Sequence, residues 1–524
     1  MILALLLALQ QPLPTPADTP PPAHDAVRYA ITIRLPDSGS VVVGAVETRW
    51  RLLSADPLRL ELDSALAVTG VRLNNQPVRD WQREGGLILI PTAGSRGDTI
   101  VSTVSYRGEV RDGLIVKGDT GQARTFFADN WPNRAHRWFP SQDHPSDKAM
   151  VAFTVVAPPE LEVIANGVLD GVDTLGGGHT RWRYHLDVPV PVYTMVLGAA
   201  RFAQTPLGEA ACDIRCVPVS VWTYPSDSAW AVDGPFKDAL GMVEFFSKLI
   251  GPFPYPSLAH VQSSTIFGGM ENATAIFYDE RAYATHGLSE RTVAHETAHQ
   301  WFGDAVTEED WTHLWLSEGF ATYGAALWAE HVGGDSALQA VMEDAGRTIR
   351  ESAATERPVI DTTSNLMTLL NSNNYQKGSW VLHSLRGMIG DSAFFQGLRN
   401  WYGTWRDSTV LTSDFERVME QASGRDLGWY FRQALHQPGY PVLAVETRTD
   451  PANRSLTLTV RQVQDSTWGL YRMPGLRVRL DTTVTTLDLN GRVASRTIPW
   501  RGPGPEEVVV DPDHWWLLDT TAGR

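Results

Sequence analysis

From Val27 to about Gln204 apolar and polar residues alternate. Examples are Tyr29-Ala-Ile-Thr-Ile-Arg-Leu, Val41-Val-Val-Gly-Ala-Val-Glu-Thr-Arg-Trp and Leu58-Arg-Leu-Glu-Leu-Asp. Such alternation turns one face of a strand to a core and the other to solvent, and Asn, Gly, Pro and Asp punctuate the runs. The stretch predicts one all-β domain. The spacing becomes helical near residue 229: Ala239-Leu-Gly-Met-Val-Glu-Phe-Phe-Ser-Lys-Leu-Ile is followed by the stop Gly251-Pro252. Further helices are predicted over 289–303, 315–331, 336–352, 375–390, 391–404, 411–422 and 426–436. After Gly439-Tyr-Pro441 strands return in Leu456-Thr-Leu-Thr-Val, Leu476-Arg-Val-Arg-Leu and Glu507-Val-Val-Val, the pattern of a compact β-sandwich. No period marks a solenoid or a propeller.

These changes of pattern divide the chain into 1–24, 25–205, 206–438 and 439–524, a multidomain α+β protein. The opening run Met-Ile-Leu-Ala-Leu-Leu-Leu-Ala-Leu is far shorter than the ~20 residues a membrane span needs. It reads as the apolar part of a secretory signal, although no Lys or Arg precedes it, and a Pro-rich linker follows. A soluble, secreted or periplasmic protein without a transmembrane span is the expectation.

The formal net charge of -16 argues against a nucleic-acid partner, which needs a basic face. The two cysteines, Cys212 and Cys216, are too few for a structural zinc site. Four residues apart, they either close a small disulfide loop or stay as two buried thiols. Nineteen tryptophans supply rings for cores and for cleft walls.

The chemistry concentrates at His295-Glu296-Thr297-Ala298-His299. Residues four apart share a helix face, so both imidazoles can reach one ion. Glu296, one residue round, can lean over the open position as a general base. A chance match in this composition is on the order of 2 in 100. Ala294, Ala298, Trp301 and Phe302 make the helix amphipathic, so it must pack, and buried His and Glu without partners are costly. A catalytic zinc needs a third protein ligand. Glu318, in Trp315-Leu-Ser-Glu318-Gly-Phe-Ala-Thr-Tyr323, follows His299 after a polar turn and suits that role. Two His and one Glu form the donor set of a hydrolytic zinc site.

The chain resembles the gluzincin zinc aminopeptidases, the family of membrane alanyl aminopeptidase and the leukotriene-hydrolase aminopeptidases. The resemblance rests on H-E-x-x-H with a glutamate 19 positions on, and on Gly268-Gly269-Met270-Glu271-Asn272, which matches the exopeptidase signature. Tyr375-Gln-Lys377-Gly378 matches the family's Tyr-x-Lys-Gly segment. Trp138-Phe-Pro-Ser-Gln-Asp-His-Pro-Ser-Asp-Lys-Ala149, Asn166-Gly167 and Thr194-Met-Val-Leu-Gly198 extend the likeness over nearly the whole mature chain.

The resemblance implies a β-saddle domain, a thermolysin-like catalytic domain and a β-sandwich, with one Zn2+ per chain. It implies peptide substrates with a free N-terminus. Glu271, in the Gly268–Asn272 segment, pairs with the substrate's α-ammonium, and Tyr375 donates to the tetrahedral oxyanion.

Three departures stand out. Many relatives carry a further helical C-terminal domain that is not expected here, which leaves the cleft more open or covered by a second copy in a homo-oligomer. Asp129-Asn130-Trp131 stands where some relatives use a Gln and a Glu against the ammonium, with Asp129 as the candidate acid. Ser317 replaces an Asn. The rival functions are a zinc endopeptidase, a non-catalytic peptide-binding scaffold, and the lipid-epoxide hydrolysis of one family branch.

Overall fold

The computed structural model describes residues 22–119, 123–212, 215–362 and 365–522. The signal-like run and most of the Pro-rich linker lie outside the described residues. The chain forms two compact units: Met1–Trp311 with Thr363–Met367 and Trp401–Leu411, and Thr312–Thr362 with Thr368–Asn400 and Thr412–Arg524. The division falls inside 206–438, which the sequence pattern treats as one segment.

In the first unit an eight-stranded sheet is centred on the strand His24–Arg34. This strand pairs antiparallel with Val41–Leu52 and parallel with Lys148–Ala157. Its alternation is realised as predicted: Tyr29, Ile31 and Ile33 are buried, while Thr32 and Arg34 face out. A register shift between Ala26 and Arg28 resets the inward face at the strand's start.

A second, five-stranded sheet follows. Val217–Thr223, Leu258–Ser263 and Ala275–Asp279 run parallel, and the last two are buried along their whole length. Strands covered on both faces read as continuous runs rather than alternations, so no alternating pattern marks them in the sequence. A two-residue edge strand, Gly269–Met270, pairs antiparallel with Tyr278 and Phe277. The edge-to-face contact of Phe127 with Phe277, at 5.6 Å, and the hydrogen bond from Asn166 Nδ2 to the Ala273 carbonyl, at 2.6 Å, fix this sheet against the neighbouring strands. Cys212 and Cys216 are bonded to each other.

The helix Glu290–His299 begins at Ser289, whose hydroxyl accepts the Thr292 amide at 3.1 Å, with Glu290 in the first turn. It ends four residues before the predicted 303. Gly303 takes φ 118°, and Phe302 bridges to Val306, so the chain turns there.

In the second unit the helix Trp315–Gly333 is buried on nearly every side as far as Trp328, the pattern of a helix at the centre of a bundle. Asp335–Glu351, Gly378–Ile389, Thr412–Ser423 and Gly428–His436 lie within two residues of their predicted bounds, apart from the N-terminus of Gly378–Ile389. There the predicted 375–390 helix opens with a separate π-type turn, Asn373–Lys377. A four-stranded and a three-stranded sheet close over Leu443, Leu456, Leu458, Val460, Leu476 and Val478. Among the described residues no helix is long and apolar enough to cross a membrane.

Candidate active site

In the first unit His295 and His299 turn their Nε2 atoms to within 3.0 Å of each other, with the rings at 85°. The spacing of four places them on one helix face. His299 Nδ1 donates to the Phe302 carbonyl at 3.1 Å, so in the neutral ring Nε2 carries the lone pair. Two nitrogens bound to one tetrahedral zinc lie roughly 3.3 Å apart, given Zn–N bonds of about 2.0–2.1 Å. The pair is therefore already close to the spacing that such an ion demands.

Glu296 is buried, and its carboxylate, that of Glu271 and a ring nitrogen of His299 all lie within 4.8 Å of one another. Two buried carboxylates this close repel each other unless cations or shared protons lie between them. The arrangement is thus built to receive positive charge.

The Gly268–Asn272 segment wraps this face. Gly269 has no side chain because none would fit: a Cβ would lie 2.1 Å from Glu296 Oε1. The missing side chain at Gly269 admits the neighbouring carboxylate. Gly268 has open space around it. Met270 and Asn272 are buried.

Asp129, the candidate acid for the ammonium, belongs to a buried polar cluster. It is fully buried, ion-paired with Arg134 at 2.9 Å, and accepts the Ile266 amide at 3.1 Å. Its charge is engaged within the fold, where it braces the run into Gly268. Trp131 packs edge-on against Phe267 and Trp311.

In the second unit Glu318 is buried one turn into its helix and accepts a hydrogen bond from the Tyr375 hydroxyl at 2.8 Å. Tyr375 sits in the π-type turn, a form common at functional sites. Asn373 Nδ2 ties that turn to the carbonyls of Ala354 and Arg357, and Asn374 Nδ2 ties it to Leu369. Gly319 and Gly378 meet backbone to backbone, since a Cβ on Gly319 would lie 2.9 Å from Gly378 Cα. This close approach brings Tyr375 to Glu318.

Sequence reasoning missed Gln300, Asp304 and Lys148, three polar residues behind the histidine helix. A single sequence carries no periodic or motif signal for buried polar partners of this kind.

Residues 236–433 match the Peptidase family M1 domain, and this chain carries that domain, as its motifs led us to expect. It is 28% identical over 341 residues to "Probable aminopeptidase 2" of Sulfurisphaera tokodaii, covering 61% of this chain and 42% of the relative. A mutant M1 zinc metallopeptidase from Deinococcus radiodurans, bound to a Tyr-Ser-Ala substrate, shares the fold with TM-score 0.72. It is 23% identical and covers 80% of this chain and 96% of its own. Legionella pneumophila aminopeptidase A, in complex with aspartic acid, aligns with TM-score 0.84 at 16% identity, covering 97% of this chain and 61% of its own. The chain spans about half the length, or less, of the curated relatives it matches first.

Proposed function

We propose that this chain is a zinc aminopeptidase that hydrolyses the N-terminal peptide bond of peptides. The observation that carries the reading is the convergence of the two Nε2 atoms of His295 and His299 beside the paired carboxylates of Glu271 and Glu296. The relatives named above support it, as does the peptide held by one of them.

In this reading His295, His299 and Glu318 hold one zinc. The donor set fits: two imidazoles, the lone pair of one fixed by its second-nitrogen partner, and one buried carboxylate. When bound, zinc supplies Lewis acidity toward the scissile carbonyl and toward water. The Glu296 carboxylate takes the proton of the attacking water and returns it to the leaving amine, a role worth about 10²–10⁴-fold. The Glu271 carboxylate pairs with the substrate's α-ammonium, which measures one residue from the chain end. Tyr375 is held by Glu318 at rest and donates to the developing oxyanion.

We further propose the three-part organisation 25–205, 206–438 and 439–524, with a saddle-like first part and a thermolysin-like second, and export directed by the N-terminal segment. The Cys212–Cys216 bond suits an oxidising compartment.

The test is a panel of aminoacyl fluorogenic amides with and without chelator, with zinc measured by mass spectrometry. We expect one zinc per chain, loss of turnover with chelator, and no cleavage of the N-acetylated amides. Rapid internal cleavage of acetylated peptides would make the protein an endopeptidase. Full metal with no turnover on any substrate would make it a scaffold.

A further inference from the structure

Gln300 directly follows the second histidine and is fully buried. Its side chain meets three partners. Nε2 donates to the Glu271 backbone carbonyl and to Asp304 Oδ2, each at 2.7 Å, and Oε1 accepts the Thr274 amide at 2.9 Å. Two acceptors on one side and one donor on the other fix the orientation of the amide, because the flipped form would set its oxygen against two oxygens. Both amide hydrogens and one lone pair of the oxygen are used.

The residues it holds are not ordinary ones. Glu271 carries the candidate ammonium-binding carboxylate. Thr274, three residues on, has φ 67°, a left-handed conformation that a β-branched residue adopts only when its surroundings impose it. Gln300 therefore grips the Gly268–Asn272 segment at one of its own residues and at a strained residue just beyond it.

Gln300 is itself anchored from behind. Its partner Asp304 is fully buried, and the backbone carbonyls of Asp304 and Ala305 both accept from Lys148 Nζ at 2.8 Å. The chain from Lys148 through Asp304 and Gln300 to Glu271 is continuous, and the bonds that Gln300 makes in it are buried, hence costly to leave unmade.

We propose that Gln300 is a positioning residue for recognition of the substrate's N-terminal ammonium. It sets where the Glu271 carboxylate stands relative to the helix face of Glu296 and His299. The inference rests on the aminopeptidase reading above, with Glu271 as the amine anchor. It assigns Gln300 an effect on ammonium selectivity and leaves metal binding to the histidines.

The experiment compares two hydroxamate inhibitors with the same side chain, one bearing the α-amino group and one lacking it, on the zinc-loaded wild type and on Gln300→Met. Methionine keeps the length of the side chain and removes both donors and the acceptor. In the wild type the amino compound should bind more tightly. In Gln300→Met we expect that preference to fall by at least about fivefold, the scale of one or two lost hydrogen bonds. Zinc should remain at one per chain, and inhibition by the compound without the amino group should hold within about twofold. Substrate KM should rise more than kcat falls.

Gln300→Glu is the second variant, for use if methionine does not fold. It keeps the acceptor for Thr274 but turns an oxygen toward Glu271 and Asp304, and it should lose the same preference. An unchanged preference in a folded, zinc-loaded variant overturns the proposal. A wild type that shows no preference for the amino compound overturns the aminopeptidase reading instead, so the two failures are distinguishable.

Discussion

A Cβ placed on Gly269 would stand 2.1 Å from Oε1 of Glu296 and 2.4 Å from its Cδ. Real side chains do not tolerate that separation, so the backbone of the edge strand and the buried carboxylate form one packing unit. Gly269→Ala should displace Glu296, because the strand is hydrogen-bonded to Tyr278 and Phe277 and is the less yielding partner. A shift of about 1 Å at a catalytic group costs on the order of 10²-fold in rate. We expect kcat to fall by that order with zinc content unchanged, and the strain to lower stability by about 1–3 kcal/mol. Kinetics, metal analysis and urea unfolding of the variant check all three. A normal kcat would mean that Glu296 is not held in its working position by this contact.

Glu296→Gln separates the proposed role of Glu296 as base from its packing. The amide fills nearly the same space beside Gly269 but cannot accept the proton of water. Turnover should fall by about 10²–10⁴-fold while the two histidines still bind metal. Stopped assays alongside zinc measurement test this. Unchanged turnover would remove Glu296 from the mechanism.

What could be read from the sequence was what depends on neighbours along the chain. His295 and His299 lie one helical turn apart, so their convergence follows from spacing alone. The helix carrying Glu318 and the inner strands of the final sandwich were also legible, because periodicity is a local property. The partners of Asp129, Arg134 and the Ile266 amide, were not legible because they are chosen by the fold. The need for glycine at 269 comes from a side chain 27 positions away, and Gln300 holds a backbone carbonyl 29 positions back. The π-type turn at Asn373–Lys377 was taken as plain helix because its asparagines act through carbonyls of residues 354–369.

Tyr375 donates to Glu318 at rest, so its removal tests two proposed roles at once. Tyr375→Phe keeps the ring and the turn and deletes only the donor. Loss of an oxyanion donor typically lowers kcat by about 10²–10³-fold with little change in KM. If the hydroxyl served only to orient Glu318, zinc affinity would weaken instead, and a competition titration with a chelator would show it. We expect the kcat effect with metal affinity held within about threefold, since the Glu318 carboxylate stays in place. A pure loss of metal would reassign Tyr375 to the ligand shell.

Glu271→Ala removes the proposed anchor for the α-ammonium and leaves the histidines intact. The charged hydrogen bond it deletes is worth about 1.5–3 kcal/mol, or roughly 10- to 150-fold in affinity. We expect KM for aminoacyl amides to rise on that scale and the discrimination against N-acetylated substrates to shrink. Steady-state kinetics on matched free and acetylated substrates decide it. A normal KM would place the ammonium elsewhere.

Lys377, in the same turn as Tyr375, gives a prediction about pH. It is 4% exposed, and burial pushes its ammonium from the ordinary 10.5 down to about 7. Its Nζ donates to the Gln437 carbonyl at 3.2 Å. Between about pH 7 and 10.5 the unfolded chain holds a proton that the folded chain has released. Unfolding free energy therefore rises with pH through this window, by up to about 1.4 kcal/mol per pH unit, and the cost of burying the charge is fully present below it. The buried tyrosines Tyr255, Tyr278 and Tyr283 are raised by burial and act in the opposite sense above pH 10. The comparison is therefore made between pH 7 and 9.5, against Lys377→Met, which retains the apolar stem. The stability of the wild type relative to this variant should increase steadily across that range in urea unfolding. A difference that stays flat with pH would mean that Lys377 keeps its charge and its ordinary affinity for a proton inside the fold.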